Sequence, residues 1–205
     1  MSETICLAIT GASGMPYAIR LLECLLATGC RVQLLYSQAA RIVARQEMAL
    51  ELPDEPAAAA AFFKARFAGL PGTLAVFGRE DWFAPVASGS NPPRAMIVCP
   101  CSMGALAAIA QGLADNLIER AADVMLKEGR KLILVPRETP FSAIHLENML
   151  RLARAGAVIL PPNPGFYHRP QSVGDLVDFV VARVLDQVGV AHSMTPRWGE
   201  FENGA

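Results

Sequence analysis

Five apolar runs of strand length, at 5–10, 31–36, 95–99, 131–135 and 157–160, alternate with stretches of helical spacing, and this rhythm limits the possible architecture most. The helices are read at 16–27, 38–47, 57–67, 103–110, 116–127, 144–154 and 173–188. Parallel strands need long crossovers, which helices supply, and near-continuous apolar strands are those covered on both faces. The predicted fold is therefore α/β, three-layered and Rossmann-like, with a mostly parallel sheet flanked by helices. Two irregular stretches, "DWFAPVASGSNPPR" at 81–94 and "PPNPGFYHRPQS" at 161–172, combine turn formers with aromatic and basic residues, as site-building loops do.

A chain of 205 residues is most simply one domain, 1–205, with the part after about 190 read as a tail or an arm between subunits. Lysine and arginine total 18 against 19 acidic residues, and a net charge of -1 gives no bulk attraction to nucleic acid or anionic lipid. Any cationic site must be local. Five cysteines in apolar contexts read as buried thiols of a reducing compartment. No basic leader precedes the first strand, and no apolar stretch approaches the roughly 18 residues of a membrane helix. The expected location is cytoplasmic, without membrane insertion.

The stretch "LAITGASGMPYAIRLL" at 7–22 runs from a strand through glycines into a helix, the arrangement that brings an anion to a helix N-terminus. A dinucleotide fingerprint needs three glycines as G-x-G-x-x-G, whereas Gly11 and Gly14 are followed by Met15, Pro16 and Tyr17. Gly11, Ala12, Ser13 and Gly14 fit either one phosphate or flavin edge, or a tight turn with a serine cap. No Tyr-x-x-x-Lys pair accompanies them: four residues after Tyr17, Tyr36 and Tyr167 stand Leu21, Ala40 and Gln171. A second turn, "CPCSMGA" at 99–105, places Ser102, Met103, Gly104 and Ala105 at another strand exit. Two such turns at one sheet edge suit a mononucleotide. Cys99 and Cys101 read as structural thiols, since His145, His168 and His192 show no ligand spacing, and no metal is expected.

Arg120 and Lys127 are seven apart on one helix, so they project from one face as solvated charges or as ligands. Arg137 and Glu138 follow the strand ending at Pro136, at the strand end where such folds bind ligands. Tyr167 offers a phenol on a loop, and Arg183 stands among Leu176, Phe179, Val180 and Val184, where its charge either snorkels or meets an anion. Glu47 reads as a surface acid or a site carboxylate. Trp82 and Trp198 fit core, interface or stacking roles.

Together "GASGMPY", "DWFAPVASGS", "PCSMG", "RAADVMLKEGRKLILVPRETPF" and "GFYHRPQSVGDLVDFVVARVLD" resemble the flavin prenyltransferases of the UbiX family, in one order across almost the whole chain. The resemblance implies a homo-oligomeric, dodecameric flavoprotein that joins the dimethylallyl group of dimethylallyl monophosphate to N5 and C6 of reduced FMN without metal. The prenylated FMN then serves a partner decarboxylase of the ubiquinone-pathway type. By matching motifs, Gly11, Ala12, Ser13, Ser37, Ser102, Met103, Gly104, Ala105 and Arg137 hold FMN, while Lys127, Arg137, Tyr167 and Arg183, with Arg120 close by, hold the prenyl phosphate. Ser13, Glu47, Lys127 and Glu138 are the catalytic candidates, and Trp198, Trp82 and residues 88–90 form a π-rich, water-poor wall. Ala105 departs from the threonine frequent in the family, and "EGRK" from the usual "ERRP". Two rival readings remain: an FMN-dependent decarboxylase of the cysteine-decarboxylase fold group, which needs a histidine earlier than His145, and a flavin carrier, which has no use for a second phosphate site.

Overall fold

The computed structural model describes residues 3–195. In chain order the elements are β1 (Thr4–Ile9), α1 (Met15–Ala27), β2 (Arg31–Tyr36), α2 (Gln38–Met48), α3 (Pro56–Arg66), β3 (Thr73–Phe77), a 3-10 turn (Pro85–Ala87), β4 (Ala95–Cys101), α4 (Met103–Ala110), α5 (Leu117–Lys127), β5 (Lys131–Pro136), α6 (Ala143–Arg154), β6 (Val158–Ile159) and α7 (Val173–Val188). The six strands form one sheet in the order β3-β2-β1-β4-β5-β6, and every pairing is parallel. Strand order reverses between β1 and β4, so a crevice opens there beyond the carboxyl ends of the strands.

Alternate residues of each strand feed two cores. Ile5, Leu7 and Ile9 of β1 face the apolar sides of α1 and α7, while Cys6 and Ala8 face α4, α5 and α6. In β4, Ala95, Ile97 and Cys99 join the first core and Met96 and Val98 the second. Cys101 breaks that parity by joining the second, because the pairing with β5 shifts register between Val98 and Cys101. An irregularity of this kind re-aims the end of a strand, here just before Ser102. All five cysteines are free, and burial pushes the thiols of Cys6 and Cys101 up to about 12, so they stay protonated.

The element missing from the expectation is β3. It is a half-exposed edge strand, TLAVF, whose residues alternate in exposure instead of forming a buried run. Its ladder with β2, from Arg31 against Thr73 to Leu35 against Phe77, is what makes it a strand. Strand β6 is shorter than its apolar run, with two residues paired to β5. Among the described residues, no helix is long and apolar enough to cross a membrane.

Candidate functional site

Thr10, buried at the end of β1, joins the two glycine turns. Its hydroxyl donates to the Pro100 carbonyl (2.9 Å) and accepts from the Ser102 amide (2.7 Å), while its own amide also donates to Pro100 (3.2 Å). The first loop therefore leaves β1 locked to the exit of β4. On the other side it abuts α2: a Cβ on Gly11 would collide with the Ala39 side chain. Glycine is needed here for close approach.

Two hollows flank this loop at the same sheet edge. The first, about 270 Å³, is lined by Thr10, Gly11, Ser37, Ala39, Arg79, Ser102, Ala105 and Asn116 among others. Three helices begin on it, each capped by a side chain. Ser37 accepts from the Ala40 amide at α2, Ser102 from Ala105 at α4, and Asn116 from Ile118 and Glu119 at α5. Converging helix N-termini present amides and positive dipole ends to an anion. A Cβ on Gly104 would meet nothing, so the space over the second turn is open.

The second hollow, about 430 Å³, is lined by Ser13, Gly14, Tyr17, Arg137, Glu138, Phe141 and the prolines 140, 161 and 162. Burial raises the Tyr17 phenol above its ordinary value, Cys99 adds to the rise and the Arg137 guanidinium opposes it, so the phenol stays protonated at neutral pH. Glu138 accepts from the Thr139 amide (3.1 Å).

Glu47 reaches the first loop from the last turn of α2. Its carboxylate accepts from the Gly14 amide (3.0 and 3.2 Å to its two oxygens), from the Met15 amide (2.8 Å) and from the Ser13 hydroxyl. Desolvation pushes this carboxyl up, but those hydrogen bonds and the nearby Arg137 outweigh it and hold the group below the usual carboxylate range. It is an ionised orienter of Ser13, although the residue itself remains exposed.

Of the expected site residues, Gly11, Ser37, Ser102 and Ala105 line the first hollow and Ser13, Arg137 and Glu138 the second. Ala12 is buried, its amide donating to the Thr10 carbonyl (3.0 Å), and Met103 packs on the core beneath α4. One chain does not bring the cationic cluster together. Lys127 pairs with Glu128 (2.6 Å) just before β5 begins, whereas Arg137 follows its end, about 20 Å away by the length of a six-residue strand. Arg120 donates to the Ala87 carbonyl (3.0 Å) and pairs with Asp123 (2.8 Å). Arg183 is half exposed and pairs with Asp186 (2.7 Å). Tyr167 sits on the outer side of α7, its ring edge-on to Phe179 at 5.6 Å. None of these four lines either hollow.

The expected π-rich wall is likewise dispersed. Trp82 is 46% exposed, residues 88–90 lie against Lys127 and Glu128 at the far end of α5, and Trp198 falls outside the described residues. Arg79, Asn116, Tyr17 and Thr10 went unassigned in the sequence. Thr10 alone left a trace there, as a polar residue closing an apolar strand. Among the described residues, no three His, Cys, Asp or Glu side chains gather as a metal ion would require.

The family model for flavoproteins matches residues 1–185. The flavin prenyltransferase UbiX of Pseudomonas aeruginosa is 58% identical over 198 residues, spanning 97% of this chain and 95% of that protein. Among solved structures, AnUbiX (PadA1) in complex with FMN and dimethylallyl pyrophosphate is 42% identical, with a TM-score of 0.86 over 98% of this chain and all of that one. A dodecameric FMN-dependent UbiX-like decarboxylase from Escherichia coli O157:H7 is 43% identical, with a TM-score of 0.84 over 96% of this chain and 99% of that one.

Proposed function

Because the chain belongs to the UbiX family of flavin prenyltransferases, we infer that it transfers a dimethylallyl group from dimethylallyl monophosphate to FMN. The observation that carries this reading is the pair of anion-suited hollows on either side of Ser13, one bordered by helix N-termini and the other holding Arg137. The first fits a mononucleotide phosphate, because Gly11 lets the loop approach α2 and the amides after Ser37 and Ser102 open onto it. Reduced FMN supplies the nucleophilic N5 and C6 positions.

The chain's own residues do the rest. Arg137 offers a guanidinium to negative charge that develops as the allylic C–O bond breaks. Tyr17 and Phe141 give the second hollow aromatic faces against which an allylic cation is held away from water. Glu47 fixes the Ser13 hydroxyl, and Ser13 with Glu138 relays the protons released as both bonds form. Fixing donor and acceptor side by side contributes much of the acceleration.

Lys127 belongs to the donor-phosphate cluster by motif but lies at the opposite sheet edge. The reading is therefore a homo-oligomer, dodecameric like the Escherichia coli neighbour, in which contacts between subunits bring Lys127, Tyr167 and Arg183 to Arg137. The exposed Phe83, Ile144, Leu150 and Phe166 are apolar surface suited to such contacts. The C-terminal segment as an inter-subunit arm, cytoplasmic residence and transfer of the product to a decarboxylase of the ubiquinone-pathway type complete the proposal. Anaerobic incubation with reduced FMN and dimethylallyl monophosphate, followed by mass spectrometry of the flavin, is expected to give a flavin heavier by one prenyl unit. An unmodified flavin from protein that binds both compounds would sink the reading and favour the decarboxylase or carrier.

A further inference from the structure

In dinucleotide-binding folds the pyrophosphate rests on the first turn of the helix after β1, where backbone amides have no partner within the helix. In this chain every donor of that turn is already engaged. The Gly14 amide donates to both oxygens of Glu47 (3.0 and 3.2 Å) and the Met15 amide to one of them (2.8 Å). Pro16 has no N–H, and the Tyr17 amide donates back to the Gly14 carbonyl (3.1 Å). We infer that Glu47 is a built-in anion that reserves the N-terminus of α1 for the protein and keeps phosphate groups out of it, confining them to the two flanking hollows.

The contrast with the neighbouring helices supports this assignment. The helices that begin on the first hollow are capped by neutral groups: the hydroxyls of Ser37 and Ser102 and the amide of Asn116. Such caps satisfy one or two amides each and carry no charge themselves; the one carboxylate in these first turns, Glu119 of α5, accepts from the Asp115 amide ahead of the helix (2.9 Å) and not from the helix's own first-turn donors. The only carboxylate cap of the four stands at α1, brought in from a position 33 residues away in sequence. Its placement is built in: α2 ends at Ala49 in the left-handed conformation, immediately after the turn that carries Glu47. A phosphate at α1 would meet that negative charge and find no donor.

The consequence bears on the reaction. The Ser13 hydroxyl lies between the hollows and donates to the same carboxylate. With α1 closed, neither the nucleotide phosphate nor the phosphate released from the donor lodges on the Gly14 and Met15 amides, and the donor phosphate stays on the Arg137 side of the second hollow.

The test uses the full chain loaded with FMN. Crystals of wild type and Glu47→Ala are soaked in selenate, and inorganic phosphate bound per chain is measured by equilibrium dialysis. Glu47→Ala is expected to bind one more phosphate per chain than wild type, with an anomalous peak within hydrogen-bond distance of the Gly14 and Met15 amides. A peak there in wild type, or none in folded Glu47→Ala, overturns the inference. Should Glu47→Ala fail to fold, Glu47→Gln keeps the side-chain bulk without the charge. Its phosphate affinity at that position is then expected to rise at least tenfold over wild type, and unchanged affinity overturns the inference. These readouts are independent of prenyl transfer, so a failed transfer assay and a failed anion test are told apart.

Discussion

At the scale of single residues, Glu47 carries the most consequences. Its hydrogen bonds tie the end of α2 to the start of α1 and orient Ser13. Losing a helix N-terminal cap costs about 1 kcal/mol, which for a chain of this length lowers Tm by roughly 2–4 °C. Glu47→Ala is expected to show that loss in thermal unfolding. The folded-state pKa of this carboxyl is depressed, so its contribution is fully present above the unfolded value and disappears as pH falls through the folded one. The Tm gap between wild type and Glu47→Gln should therefore be open at pH 7 and close below the usual carboxylate range; a gap independent of pH would contradict the charge-based account. In the reaction, Glu47→Gln should slow ring formation while sparing FMN binding, read by stopped-time product analysis beside flavin titration. An equal product rate would remove it from the mechanism.

At the scale of elements, the site depends on how closely the β1 loop meets its neighbours. Gly11 has no room for a Cβ because Ala39, on the first turn of α2, already occupies that space. Gly11→Ala is expected to weaken FMN binding at least tenfold by pushing the loop off α2. The double variant Gly11→Ala with Ala39→Gly should recover most of it, since the second change vacates the contested volume. A double variant no better than the single one would mean that Gly11 matters for backbone freedom and not for approach. On its other side the loop is pinned by Thr10 to the exit of β4, just past the register shift that re-aims Cys101 and Ser102. The tertiary link between the two glycine turns thus runs through Thr10, by its buried hydroxyl and its amide.

At the scale of the whole molecule, the separation between Lys127 and Arg137 leads to a complementation experiment. Homo-oligomers of Lys127→Ala and of Arg183→Ala should each be impaired in donor use while still binding FMN. Mixed oligomers from co-expression should regain activity, because some sites then receive intact residues from both copies; mixtures with no more activity than either parent would place both residues in the same chain's site. The layered α/β order, five of the six strands and the two glycine turns were legible in the sequence, because burial on both faces writes itself as continuous apolar runs and a strand-to-helix turn needs glycine at defined spacing. Strand β3 was not, because an edge strand is half exposed and its pairing with β2 is a property of the neighbour. Residue types fixed which groups were available for phosphate chemistry, but not their grouping. The order along the chain already sets Lys127 before β5 and Arg137 after it, whereas the reach of Glu47 across 33 residues to the amides of α1 was decided by the tertiary structure, since contacts between distant segments depend on packing that no local pattern encodes.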